Sequence, residues 1–160
     1  MNAVRHHDHR ATLDRNVSLN RLAFSATVHC LTGCAIGEVL GLVLGTVLGW
    51  GNTVSVIVAV VLAFFFGYSL TLRPLLTGGV GLRAALGLAF ASDTLSITVM
   101  EVVDNAVVLA IPGALEAGLS DLLYWTSLAL SLILAFVAAY PVNRWLISRG
   151  RGHALVHAYH

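Results

Sequence analysis

The chain has 160 residues, 58% of them hydrophobic and 11% charged, and its mean hydropathy is +0.84. That balance excludes an ordinary soluble domain and points to one compact membrane domain. The net charge of +1 offers no basic footprint for nucleic acid, and none is expected as a partner.

In chain order, residues 1–22 form a polar, His- and Arg-rich segment, expected to be loose. A domain over residues 23–148 then carries four apolar runs, each long enough to cross a bilayer. The first runs from about Phe24 to Trp50. It is too long for a signal-peptide core, and no small-residue cleavage site follows it. The short Gly51-Asn52 connection makes it an antiparallel partner of the second run, about Val54 to Leu72, which Arg73-Pro74 should halt. The third spans about Leu82 to Ile111 and ends at Pro112-Gly113. The fourth covers about Leu122 to Ile147, and residues 149–160 are a basic, His-containing tail. The expected fold is an all-α membrane protein, four transmembrane helices in an up-down bundle.

All nine basic residues are Arg, and none lies at the centre of an apolar run. Arg5, Arg10, Arg15 and Arg21 precede the first run, Arg73 and Arg83 flank the second connection, and Arg144, Arg149 and Arg151 close the fourth. The other two connections carry only Glu116 and Asp121. By the positive-inside rule both termini should be cytoplasmic, and Trp50, Trp125 and Trp145 fall where aromatic belts form. A multi-pass protein of a bacterial inner membrane is expected.

The first run holds "HCLTGCAIGE", residues 29–38. Cys30, Cys34 and Glu38 recur every four residues and share one helix face, which His29 reaches only from its edge. A Cys30–Cys34 disulfide is disfavoured. The Cβ atoms of residues one turn apart lie roughly 6 Å from each other, and a disulfide needs about 4 Å. Two thiolates so placed can instead share a metal ion. Beside them, Gly33, Gly37, Gly41, Gly45 and Gly49 form a small-residue stripe for close helix packing, and a second copy of the chain could use it.

The third run carries "SDTLSITVMEVVDN", residues 92–105. Asp93, Met100 and Asp104 share a face, flanked by Ser96 and Glu101. A membrane acid costs about 2.5–3.5 kcal/mol near the bilayer centre, so it marks a bundle interior or a wet path. A purely structural acid, bonded to Asn, Ser or Thr, explains one such residue more easily than four. Alignment of the span midpoints puts Cys34 level with Asp93, and Glu38 level with Met100 and Glu101. Asp104 falls nearer the outer face, and the whole makes a ladder across the membrane. Thiolate and thioether favour Cu(I), and Cys with His also suits Zn(II). The candidate ligands are therefore His29, Cys30, Cys34, Glu38, Asp93, Met100, Glu101 and Asp104. His153, His157 and His160 are possible tail ligands at the cytoplasmic mouth.

"HCLTGCAIGE" and "YPVNRWLISRG", residues 140–150, resemble a family of small bacterial membrane proteins, the domain of unknown function 4396. The resemblance covers the chain from Phe24 onward and implies a polytopic membrane protein. It assigns no ligand or catalytic role to any residue. Within "PVNRWL", Pro141 should kink the fourth helix and Asn143 should satisfy backbone groups freed by it. The leading functional expectation is a transition-metal carrier, copper before zinc. The alternatives are a haem or di-metal redox protein, with His29 or Met100 as a haem ligand, and an assembly subunit whose polar residues only fix helix contacts.

Overall fold

A computed structural model describes the backbone of residues 2–149 and the side chains of residues 18–149. It contains α1 (Asn2–Leu48), α2 (Asn52–Thr77), α3 (Leu82–Ala110) and α4 (Leu122–Ser148), and no strand among the described residues. Among the described residues, each helix has a segment long and apolar enough to cross a membrane. The chain is a multi-pass membrane protein.

Helices adjacent in sequence pack side by side, α1 also packs on α4, and α1 touches α3 across the short diagonal. The interior is built of small residues. Ala63, Ala85, Ala135 and Ala139 are fully buried, whereas Val61, Phe65, Phe90, Val102, Ile133 and Val137 point outward. Lipid tails solvate large apolar side chains as well as a protein core does, so close backbone approach governs the inside. The glycine stripe shows this directly. A Cβ at Gly33 would sit 2.7 Å from the Gly67 amide nitrogen, one at Gly37 would collide with the Ala63 backbone, and one at Gly41 would lie 2.5 Å from Ala59 Cβ. Gly33, Gly37 and Gly41 therefore pack on α2 of the same chain. Gly49 leaves the stripe to form the turn, with φ of +67°, a left-handed helix end that favours glycine.

Three local expectations change. The polar N-terminal segment continues α1 as helix from Asn2, since residues 2–22 contain no Gly or Pro to interrupt it. Pro74 lies inside α2, which runs on to Thr77 because fully buried Leu75 packs on Ala85 of α3. Helix α4 also continues through Pro141 to Ser148. There Asn143 bonds side chains on other helices rather than freed backbone groups: its amide donates to Thr27 Oγ1 and Ser96 Oγ, both at 2.9 Å. At the same end Arg144 donates to Asn20 at 2.8 Å, so the start of the α1 crossing and the end of α4 lie together.

Candidate functional site

The polar stripes of α1 and α3 meet on the diagonal. Nearest the Arg-bearing end, the Asn143 amide joins Thr27 and Ser96. Cys30 faces Asp93 and Ser96, and Asp93 accepts from Ser92 at 2.7 Å. One turn further, Cys34 faces Glu101. Beyond it Glu38 faces Asp104, which also accepts a hydrogen bond from Ser131 of α4. This ladder is displaced by about one helical turn from the midpoint alignment. The register between α1 and α3 is set by small-residue packing along the helices, which an alignment of span midpoints does not read.

Cys30, Cys34 and Met100 belong to one buried cluster with Ala63, Ile97, Ala135 and Ala139. Each of the three sulfur-bearing residues is at most 1% exposed, and both cysteines are free thiols. Glu101 is 5% exposed, and neither of its oxygens has a hydrogen-bond partner among the described residues. The Cys34 thiol lies beside that carboxyl, short of full hydrogen-bond geometry.

The candidates do not converge on one point. His29 turns toward α2, where its Nε2 lies 3.0 Å from Thr71 Oγ1, away from the two cysteines. Among the described residues no three His, Cys, Asp or Glu side chains are grouped as a metal cage. A three-ligand soft set arises only with Met100. His153, His157 and His160 lie outside the described residues.

A family model described as a domain of unknown function (DUF4396) matches residues 19–152. The chain belongs to the DUF4396 family. No curated protein and no solved structure matches it. The DUF4396 match takes in all four crossing segments, and with them both polar stripes.

The far end of this DUF4396 bundle holds a cavity of about 320 Å³. Its walls come from the α1–α2 turn, including Trp50 and Asn52, and from the α3–α4 connection, including Glu116. It reaches inward to Glu38, Asp104 and Tyr124. The ladder thus ends in a vestibule opposite the Arg-bearing end. Sequence reasoning missed Thr27, Ser131 and Tyr124. The first two carried a readable signal. Thr27 is seven residues before Cys34 on the same face, and Ser127, Ser131, Ala135, Ala139 and Asn143 recur every fourth position of α4, all buried.

Proposed function

We propose that this protein binds a soft transition-metal ion, Cu(I) before Zn(II), and passes it across a bacterial inner membrane with both termini on the cytoplasmic side. The observation that carries this reading is the burial of Cys30, Cys34 and Met100 in one cluster, beside a carboxyl with no hydrogen-bond partner among the described residues. Thiolate and thioether together select Cu(I) over harder ions. A scaffold residue is held by its neighbours, as Asn143 and Ser131 are. Glu101 is not, and a buried acid left so is costly unless it serves a passing cation or proton.

The ladder supports movement rather than storage. Each rung offers few ligands, so an ion held there can also leave, as conduction requires. From the Arg-bearing end the ion would meet Cys30, then Cys34 and Met100, then the carboxyls of Glu101, Glu38 and Asp104, and finally the vestibule. The Arg distribution favours a cytoplasmic location for the Arg-bearing end.

The test is metal content of the protein purified in detergent under reducing conditions and loaded with Cu(I) or Zn(II). About one copper per chain is expected in the parent. A Cys30→Ser/Cys34→Ser variant of unchanged melting temperature should hold none, and Met100→Leu should weaken retention. A parent that stays free of both metals after loading overturns the proposal. Loaded protein in liposomes should then move copper in a Glu101-dependent manner.

A further inference from the structure

We infer that the vestibule at the far end of the bundle binds a protonated primary or secondary amine with a small apolar or aromatic body. This inference does not rest on the sulfur cluster or on metal transport.

Three features of the cavity define its ligand. The first is charge: the carboxyl groups lining it are Glu38, Asp104 and Glu116, and no Arg, Lys or His lines it among the described residues. A cleft of one sign with apolar walls concentrates the opposite charge. The second is hydrogen-bonding capacity left over at the floor. Tyr124 is 9% exposed, lines the cavity and faces Glu38 and Asp104, yet among the described residues its hydroxyl has no hydrogen-bond partner, and neither does Glu38 Oε1. Buried polar groups left unpaired are costly. An ammonium group can donate to both oxygens at once, one N–H to Glu38 and one to Tyr124. The third is the wall. Leu42, Val56, Leu128 and the Trp50 ring also line the cavity, which suits a hydrocarbon or aromatic body.

The same features argue against a hard inorganic cation as the occupant. Such an ion takes six or more oxygen ligands, waters among them, and makes no use of an apolar wall. The floor provides two carboxyls and one phenol, and Asp104 already accepts from Ser131. The cavity of about 320 Å³ lies at the small end of the range of about 300–1,000 Å³ for small-molecule sites. Those sites pair mostly apolar walls with a few convergent polar groups, as this one does.

The probe is 2-phenylethylammonium, titrated calorimetrically into the detergent-purified full chain beside its uncharged isostere 2-phenylethanol and its N,N,N-trimethyl analogue. Saturable binding of the primary ammonium is expected, at least tenfold tighter than either comparison compound, because only it carries both the charge and the N–H donors. Tyr124→Phe should weaken it by up to about tenfold, one hydrogen bond's worth, and Glu38→Gln by more. Cys30→Ser/Cys34→Ser should bind as the parent does, so failure of the metal reading leaves this result standing. The comparison of three ligands on the unaltered chain needs no variant to fold. No saturable binding, or equal binding of alcohol and ammonium, overturns the inference. Binding of the quaternary analogue as tight as that of the primary amine removes the role given to Glu38 and Tyr124 and overturns it also.

Discussion

Asn143 and Glu101 are both buried polar side chains inside apolar helices, and their surroundings set them apart. Asn143 spends both amide hydrogens on Thr27 and Ser96 and so ties α4 to α1 and α3. Glu101 has no hydrogen-bond partner at either oxygen among the described residues. Interhelical hydrogen bonds in membranes contribute about 1 kcal/mol, rarely more than about 2. Asn143→Ala should therefore lower stability by about 1–2 kcal/mol in reversible unfolding from mixed micelles. Glu101→Gln removes a costly acid and breaks no hydrogen bond among the described residues, so it should unfold no more easily than the parent while losing copper movement. Were Glu101→Gln the more destabilising of the two, the acid would be a packing device. The residue types of both stripes were legible in the sequence. Their partners were not, because Thr27, Ser96 and Asn143 are far apart in the chain and meet only when three helices pack.

At the scale of elements, the α1–α2 pair is the tightest contact in the molecule. Gly33, Gly37 and Gly41 face Gly67, Ala63 and Ala59 with no room for a Cβ. Gly37→Ala would push the helices apart against backbone rather than against a yielding side chain, at a cost of about 1–3 kcal/mol. Gly87 on α3 meets nothing within 4 Å, so Gly87→Ala should be neutral or stabilising, since Ala is the better helix former. Thermal unfolding of the two variants in one detergent checks the contrast, and equal losses would count against the packing described. The stripe was visible in the sequence as a run of glycines at every fourth position. Which surface it met, α2 of the same chain, depended on Ala59, Ala63, Gly67 and Thr71 forming a matching small-residue face.

For the whole molecule, the ladder has direction only if the membrane sets one. Arg21, Arg73, Arg83, Arg144 and Arg149 sit at one end of the bundle and the acid-lined vestibule at the other. Alkaline phosphatase fused within the α3–α4 connection, after Gly118, should be active in a bacterial host. The same enzyme fused at the C terminus should be inactive, and green fluorescent protein placed there should fluoresce. The reverse pattern would invert the path and put the vestibule in the cytoplasm. Trp145, whose ring lies 4.8 Å from the Arg149 guanidinium, fits an interfacial anchor at the Arg-bearing end.

The sequence by itself determined the number of crossing helices, the antiparallel pairing of the first two and the two polar faces. These follow from hydrophobic length, turn residues and helical periodicity, which act within short stretches of chain. Only the tertiary structure decided the register between α1 and α3 and the turn of His29 away from the cysteines. It also decided the burial of Met100 beside them and the vestibule that Tyr124 completes. Each depends on how far one helix slides and rotates against another. In a membrane that is set by small-residue contacts along their whole length, with no single local motif to announce it.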